Sequence, residues 1–211
     1  GKLGRLIWSQ PGFHWRKDLG LFHDCSRNFC LDGLDWGRFL GESCPSSYDP
    51  RRYFSWRDYW QYSCGPAAEM FYQQLAPLLL AIEAQFPARV AAVGGCSSLE
   101  RETPDHLLMS LEYPGGPVIA LSSASAGKTN PAWVIRGTEV SVECERNCVM
   151  VRDDRGRLVE TMGMAPRRLG PLSGWLDCVR TRRKCRCDEH LGYRTTVAIL
   201  MGLRAYREGA A

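Results

Sequence analysis

Four side chains in a loop-like stretch could bind a small polar molecule. Trp56, Arg57, Tyr59 and Tyr62 place aromatic rings around a guanidinium group within seven residues. Aromatic rings stack on sugar rings, and a guanidinium binds carboxylate or hydroxyl oxygens through well-oriented hydrogen bonds. The same rings could instead anchor the loop, because Tyr and Trp often bury their rings and hydrogen-bond their tips. The sequence therefore predicts either a sugar-binding loop or an aromatic anchor.

Ten cysteines are a second group of side chains capable of chemistry. They are Cys25, Cys30, Cys44, Cys64, Cys96, Cys144, Cys148, Cys178, Cys185 and Cys187. Cys96 and Cys178 stand in apolar surroundings and are predicted to be small core residues. Cys185, Cys187 and His190 could hold a metal, but loop thiols beside basic residues are more often incidental, so we predict no metal site. A metal or redox protein that uses these thiols is kept as a third candidate, after the two functions given below.

Five positive charges fall within residues 180–186, and the whole chain has a net charge of +4. Such a patch would suit nucleic acid, yet it also suits a solvated connector after a helix C-terminus. No run approaches the roughly 18 apolar residues of a membrane span. We therefore predict no nucleic-acid or membrane partner and a cytoplasmic location. Because the chain starts at Gly1 rather than Met, the removal of upstream sequence stays open, and so does an exported form whose signal was lost with it.

The spacing of apolar residues predicts the elements that carry these groups. The first are a strand over residues 3–9, loop over 10–35, a short helix over 35–40, an aromatic loop over 44–63 and a helix over 66–86. The last of these has apolar residues at helical spacing. Pro77 is expected to kink or split this helix, because proline removes a backbone hydrogen bond.

A run of strands and two closing helices complete the predicted fold. Strands are predicted over residues 88–96, 105–113, 117–125 and 132–144, a turn at 152–156, and helices over 171–182 and 190–208. This order predicts an α+β fold, a large and mostly antiparallel open sheet with helices packed on one face. Gly94-Gly95 lacks the rest of a G-x-G-x-x-G loop, so no dinucleotide-binding fold is predicted.

Several segments, in this order, resemble the Gfo/Idh/MocA family of oxidoreductases. They are Gly1-Lys-Leu-Gly-Arg-Leu; Leu34-Asp-Trp-Gly-Arg-Phe-Leu-Gly with Tyr53-Phe-Ser-Trp-Arg-Asp-Tyr-Trp-Gln-Tyr; Gly65-Pro-Ala-Ala-Glu-Met-Phe-Tyr-Gln-Gln-Leu; Phe86-Pro-Ala-Arg-Val with Gly94-Gly; Leu111-Glu-Tyr-Pro-Gly-Gly; and Trp175-Leu-Asp-Cys-Val-Arg with Gly192-Tyr-Arg and Ala205-Tyr-Arg-Glu-Gly. Their order and spacing make the resemblance specific. It implies that residues 1–211 form one domain, similar to the family's dihydrodipicolinate-reductase-like C-terminal domain, without the N-terminal Rossmann domain.

The resemblance also implies a site on the helix over residues 66–86. In the family an Asp, followed four residues later by His or Tyr, faces the substrate, and the matching positions here are Glu69 and Gln73. A spacing of four puts both side chains on one helical face. His can take a hydroxyl proton near neutral pH, whereas a Gln amide can only hydrogen-bond. Glu69 and Gln73 are therefore predicted as a degenerate catalytic pair, beside the predicted substrate-binding residues Trp56, Arg57, Tyr59 and Tyr62.

Two functions follow from the resemblance, and the sequence leaves both open. The chain is either the substrate-side and oligomerisation domain of an NAD(P)-dependent sugar or polyol oxidoreductase, not competent alone, or a degenerate, non-enzymatic relative that binds a ligand or organises an assembly. No cofactor is expected in this chain. NAD(P) is implied for a complete enzyme, whose Rossmann domain would lie upstream or in another chain. The other expected partners are a sugar-like small molecule and a second copy bound through the sheet face.

Overall fold

One nine-stranded sheet and the helices packed on it form the described part of the chain. The computed structural model describes residues 2–14, 33–42, 46–97, 101–125, 130–145, 148–163 and 170–209. The strands are β1 (Leu6–Gln10), β2 (Gly12–His14), β3 (Arg89–Gly95), β4 (His106–Glu112), β5 (Val118–Ala124), β6 (Trp133–Gly137), β7 (Val140–Cys144), β8 (Cys148–Asp153) and β9 (Leu158–Gly163). The helices are α1 (Trp36–Leu40), α2 (Pro50–Phe54), α3 (Pro66–Ile82), α4 (Pro171–Thr181) and α5 (Glu189–Glu208), with a 3-10 helix at Trp56–Asp58.

The sheet is mostly antiparallel, and its first strand lies in the middle. The order is β3-β4-β5-β1-β6-β7-β8-β9, with β2 also paired to β5. Only the pairs of β1 and β2 with β5 are parallel among the described strands. β1 therefore joins the strands before residue 125 to the strands after residue 132.

The buried core lies between the sheet and the two long helices. α3 and α5 pack on each other and on strands β3, β4 and β5. Alternate residues of β4 are buried, namely Leu107, Met109 and Leu111, whereas those between them face away. α5 approaches β4 closely because Gly202 has no side chain, and a Cβ there would overlap Met109. This arrangement confirms the predicted α+β fold, with helices packed on one face of the sheet.

α4 differs from α3 and α5 because it adds no described residue to the buried core. Its apolar residues Leu172, Trp175, Leu176 and Val179 lie three or four positions apart and are all exposed. α4 therefore presents an apolar stripe at the surface. Within the described ranges, every helix is too short or too polar to cross a bilayer.

α3 is not split at Pro77 but runs unbroken from Pro66 to Ile82. Pro77 has no N–H, so it cannot donate to the carbonyl of Gln73, four residues earlier. Both residues are exposed, so the missing hydrogen bond lies on the exposed face of the helix. The opposite face of α3 is fully buried at Phe71, Leu75 and other positions, and this burial holds the helix together.

Two stretches predicted as loops contain regular structure. Residues 12–14 form β2, while residues 15–32 of the same predicted loop lie outside the described residues. The predicted aromatic loop over 44–63 contains α2 and the 3-10 helix. Asp49 caps α2 by accepting a hydrogen bond from the Arg51 N–H, and Pro50 suits the first helical position.

The second half of the sheet contains more strands than the sequence pattern indicated. Residues 132–144 form two strands, β6 and β7, because the chain reverses at Thr138-Glu139. That turn is held by Thr138, whose Oγ1 accepts from the Arg5 N–H at 3.0 Å. β8 and β9, which were not predicted, pair on either side of the predicted turn at 152–156.

Cys96 and Cys178 are not core residues, contrary to expectation. Cys96 follows the last residue of β3 and is exposed, and its thiol donates to the carbonyl of Thr103 at 3.2 Å. Cys178 is half-buried on α4, which lies outside the core. The apolar neighbours that suggested burial are exposed as well. Cys25, Cys30 and Cys44 lie outside the described residues.

Candidate functional site

The N-terminus of α3 is packed tightly against residues 103–104. Gly65, just before the helix, has φ of +87°, and a Cβ there would lie 2.8 Å from the Cβ of Thr103. Only glycine fits such a left-handed, crowded position without strain. Pro66 then starts the helix with a favourable φ. These two residues fix the direction in which the first turn of α3 projects Glu69.

Glu69 is held at both carboxylate oxygens. Oε2 accepts a hydrogen bond from Arg57 Nε at 2.8 Å, and Oε1 accepts one from Ser63 Oγ at 2.8 Å. Ser63 Oγ in turn accepts from the Gly65 N–H at 2.9 Å. A carboxylate in the first turn also benefits from the positive end of the helix dipole. Glu69 is therefore an ion-paired anchor in this structure, not a free base.

Arg57 lies between Glu69 and an aromatic face. Its Cζ is 4.0 Å from the ring centre of Trp56, close enough for a cation–π contact. The backbone around it is fixed, because Thr103 Oγ1 donates to the Arg57 carbonyl at 2.8 Å. About one third of the Arg57 side chain stays exposed. We define the Arg57 cluster as Trp56, Arg57, Ser63 and Glu69, a rigid group with a guanidinium and an indole at the surface.

An ion pair behind the Arg57 cluster fixes the same segment. Arg101 Nη2 lies 2.6 Å from Asp58 Oδ1, and both side chains are largely buried. The carbonyl of Asp58 accepts from the N–H groups of Glu102 and Thr103. Paired charges with low exposure and several backbone hydrogen bonds hold a loop more firmly than a surface ion pair does. The 56–58 segment is thereby tied to the chain between β3 and β4.

Gln73 lies one helical turn beyond Glu69 and is exposed. Its amide can donate and accept hydrogen bonds but cannot titrate. Gln74, the next residue, is buried instead, and neither of its amide atoms has a partner within the described structure. The structure thus places Gln73, and not Gln74, on the surface beside Glu69.

Tyr59 and Tyr62 contact residues of α2 and α1, respectively. The Arg52 guanidinium carbon lies 4.6 Å from the ring centre of Tyr59, and burial together with Asp49 raises the pKa of Tyr59. The ring of Tyr62 lies 6.3 Å from Phe39, and its hydroxyl is buried. These contacts are typical of loop anchoring. Of the four predicted loop residues, Trp56 and Arg57 come together with Glu69.

A cleft borders the Arg57 cluster on the side of α5. It has a volume of about 750 Å³ and runs between residues 60–64 and the C-terminal half of α5. The Arg207 guanidinium carbon lies 4.9 Å from the ring centre of Trp60 on its wall. Cys64 is half-buried here, and its burial and the nearby Glu69 raise the pKa of its thiol. The lining of the cleft therefore includes a cation and an indole.

A buried carboxylate organises the turn between β3 and β4. Asp105 is fully buried and accepts from the Ser97 N–H and from His106 Nδ1, each at 3.0 Å, and from the Ser97 hydroxyl. Burial alone raises the pKa of Asp105, but the hydrogen bonds from Ser97 and His106 outweigh it and hold the pKa below its usual value. An ionised Asp105 therefore stabilises the segment that carries Arg101 and Thr103.

Metal and nucleotide sites are not formed by the described side chains. Among them, no three His, Cys, Asp or Glu residues converge as metal ligands do. Cys185, Cys187 and His190 therefore form no such group. Gly94 and Gly95 lie inside β3 and pair with β4, so they form no loop around a phosphate.

Several residues of the site were not predicted from the sequence. Ser63, Arg101 and Asp58 fix the Arg57 cluster, and Trp60 and Arg207 line the cleft. Arg207 and Trp60 are far apart in sequence, and no local spacing connects them. Trp60 carried a weaker signal, since it belongs to the same aromatic segment as Trp56 and Tyr59.

Comparison with known proteins assigns the chain to a family. The model described as "Oxidoreductase family, C-terminal alpha/beta domain", of the Gfo/Idh/MocA group, matches residues 3–211. The chain therefore belongs to the Gfo/Idh/MocA oxidoreductase family and represents its C-terminal alpha/beta domain, as its sequence motifs indicated. A comparison with curated proteins gave no match.

Solved structures share the fold at low sequence identity. A UDP-N-acetylglucosamine 3-dehydrogenase from Acidithiobacillus ferrooxidans is 16% identical with a TM-score of 0.62, and the match covers 97% of this chain and 55% of that one. An oxidoreductase from Thermotoga maritima is 13% identical with a TM-score of 0.65, covering 97% and 53%. An NAD-binding protein from Listeria innocua is 11% identical with a TM-score of 0.59, covering 99% and 59%. The chain spans little more than half the length of these structures.

Proposed function

We propose that this chain is the substrate-side domain of an NAD(P)-dependent oxidoreductase that acts on a sugar or polyol. The Arg57 cluster carries the proposal, because it holds a guanidinium and an indole at Glu69, one helical turn from the exposed Gln73 on α3. The family implies that this face of α3 meets the substrate. A guanidinium that stacks on an indole and is held by a carboxylate is well suited to bind hydroxyl or carboxylate oxygens of a sugar.

The division of labour follows from what these residues can do. Arg57 and Trp56 bind and orient the sugar, and the Gln73 amide hydrogen-bonds one of its hydroxyls. Oxidation of an alcohol also needs a group that takes the hydroxyl proton. Gln73 cannot take it, and Glu69 is engaged by Arg57 and Ser63. On this proposal the proton acceptor and NAD(P) belong to a Rossmann domain, which lies upstream or in a separate chain.

Two surfaces support association with a second copy of this chain or with another domain. On the face of the sheet opposite α3 and α5, Val93 and Leu108 are cross-strand neighbours and are at least half exposed. This face supports a homo-oligomer formed through the sheet. The apolar stripe of α4 is a second surface that another domain can cover.

The described cysteines are all free thiols, which suits a cytoplasmic setting.

Calorimetry tests the proposed division of labour. The chain is titrated with NADH, NADPH, a free hexose and UDP-N-acetylglucosamine, the sugar nucleotide in the name of the Acidithiobacillus relative. We expect no binding of either dinucleotide and measurable binding of at least one sugar compound. Arg57→Ala should weaken that binding at least tenfold. Arg89→Ala, which removes an exposed ion pair with Glu112, is the matched control and should not.

Either of two results contradicts the proposal. Tight binding of NADH or NADPH by this chain would place the cofactor site in this domain and not in a Rossmann domain. Sugar binding that is the same in the Arg57→Ala and Arg89→Ala variants would remove the Arg57 cluster from the site.

A non-enzymatic binding or assembly module is the second candidate. Its supporting observation is the state of the two degenerate positions, since Gln73 cannot titrate and Glu69 is ion-paired. This candidate requires that the natural full-length protein oxidise no sugar or polyol with NAD(P)+. Turnover in an assay that follows NAD(P)H absorbance would rule it out, whereas sugar binding without turnover would support it.

A further inference from the structure

Two thiols meet where the chain reverses after α4. α4 ends at Thr181, and Arg182 adopts the left-handed conformation with φ of +57°. This reversal brings the following residues back along the helix, so that Cys178 Sγ lies 3.9 Å from the carbonyl oxygen of Lys184. Lys184 is bonded to Cys185, so the Cys178 thiol lies beside the backbone that carries the Cys185 thiol. Cys178 and Cys185, seven positions apart in sequence, are therefore neighbours in space.

Ion pairs hold this reversal from both sides. Arg183 pairs with Asp177 on α4, and Lys184 Nζ lies 2.7 Å from Asp188 Oδ2 at the start of α5. Thr181 Oγ1 also donates to the carbonyl of Asp177 at 2.7 Å. The connector is thus a defined turn whose conformation keeps Cys185 next to Cys178.

Both residues of the pair are partly exposed. Cys178 and Cys185 are half-buried, and Cys187 nearby is exposed. The contact with Cys178 and burial raise the pKa of the Cys185 thiol, while Arg183 lowers it. The other described cysteines are Cys64, Cys96, Cys144 and Cys148, which lie on different elements and have no sulfur contact with this pair in the described structure.

We propose that Cys178 and Cys185 are a redox-reactive pair that hydrogen peroxide oxidises to a disulfide. The thiolate of one cysteine attacks a peroxide oxygen and becomes a sulfenic acid, with loss of one water. The second sulfur attacks the sulfenic sulfur, forms the S–S bond and displaces a second water. The two thiols lose two electrons and two protons, and the peroxide is reduced to two water molecules.

Closure of the disulfide would tie the end of α4 to its connector. The apolar stripe of α4 would then be held against the turn that contains Arg182, Arg183 and Lys184, whatever happens to the surrounding ion pairs. Reduction by a small thiol would restore the two free cysteines. The pair is thus a reversible modification site next to an exposed surface.

Peptide mapping tests the proposal on the chain as it exists. The protein is treated with a few equivalents of hydrogen peroxide, its remaining thiols are alkylated, and it is digested with trypsin without reductant. Trypsin puts Cys178 in the peptide 169–180, Cys185 in the dipeptide 185–186 and Cys187 in the peptide 187–194. We expect peptide 169–180 linked to 185–186 as the main disulfide product, and we expect dithiothreitol to separate them.

Two variants make the assignment specific. Cys187→Ser should keep the linked product, because Cys187 is the bystander thiol. Cys178→Ser should lose it and leave Cys185 alkylated. A main product that joins 169–180 to 187–194 would overturn the proposal. So would a protein in which Cys178 becomes sulfinic acid while Cys185 stays alkylated, since no closure would then have occurred.

Discussion

The Glu69 carboxylate stabilises the chain through charge-assisted hydrogen bonds to two residues of the preceding segment. It accepts from Arg57 and Ser63, and these bonds keep the loop after the 3-10 helix against the first turn of α3. Glu69, which the family resemblance implies as catalytic, thus has a structural role in holding the preceding segment against α3. A substrate that needs this carboxylate must compete with Arg57 for it.

Replacing Glu69 with Gln should lower the free energy of unfolding by about 1–2 kcal/mol, because a neutral amide replaces a carboxylate in two charge-assisted hydrogen bonds. The estimate is modest because about a third of each ion-paired side chain is exposed. Gln73→Ala is the control and should change stability by less than about 0.5 kcal/mol, since Gln73 is exposed. Urea unfolding monitored by tryptophan fluorescence measures both. Equal stability of the two variants would contradict this task for Glu69.

Asp105 gives the chain a stability that depends on pH. Its pKa is lower in the folded than in the unfolded chain, so the unfolded chain binds more protons as the pH falls below the ordinary aspartate value of about 3.9. Stability from Asp105 is therefore fully present above that value and is lost as the pH falls through the folded pKa. Asp105→Asn should be less stable near neutral pH and should lose less stability on acidification to about pH 3.

Urea unfolding at about pH 6 and about pH 3 checks this prediction. Asp154→Asn is the matched control, because Asp154 is exposed in the turn between β8 and β9. The control should follow the parent chain at both pH values. If Asp105→Asn showed the same acid loss as the parent, another carboxylate would be responsible.

At the scale of elements, α3 combines a strong buried face with a broken hydrogen bond on its exposed side. Pro77 leaves the carbonyl of Gln73 without its usual helical donor. The family resemblance implies a titratable group at this position. α3 thus carries a backbone acceptor without its usual donor at the residue proposed to meet the substrate.

Pro77→Ala should raise the free energy of unfolding by about 1–3 kcal/mol, because alanine restores the hydrogen bond and removes the clash inside the helix. Pro50→Ala is the control, since Pro50 occupies the first turn of α2, where its ring is tolerated. That variant should change stability little or lower it slightly. Thermal unfolding of both variants decides the point, and a Pro77→Ala variant no more stable than the parent would contradict it.

The type of an element was predictable where the spacing of apolar residues was regular. Contacts between side chains distant in sequence were not predictable. The alternation in β4 and the helical spacing of α3 and α5 each identified an element, because one buried face imposes its period on the sequence. β9 was missed because its six residues are all exposed and show no buried period. The pairing of Arg57 with Glu69 was not predictable, because it depends on how the loop folds back onto α3. The burial of Cys96 was wrongly predicted for a related reason. Cys96 lies just beyond the end of β3, where apolar neighbours in the sequence do not ensure burial.

For the whole molecule, the proposed association depends on exposed apolar residues on the face of the sheet opposite α3 and α5. Leu108→Glu should shift an oligomer toward monomer, because it puts a charge in the exposed apolar part of that face. Leu172→Glu on α4 is the control and should leave assembly through the sheet unchanged. Sedimentation velocity over a range of concentrations distinguishes these outcomes. A parent chain that stays monomeric at all concentrations would contradict association through the sheet.

The central position of β1 has a consequence for how the chain folds. Ser9 pairs with Ile119 on one side and with Ile135 on the other. β1 is synthesised before β5 and β6 and therefore gains its partners only after more than 100 further residues, and contacts so distant in sequence slow folding. β1 lies between β5 and β6, so without it strands β3–β5 and strands β6–β9 are not joined into one sheet. A chain that starts at Pro11 should collapse without a cooperative unfolding transition, because β1 is the strand that makes the two halves one sheet.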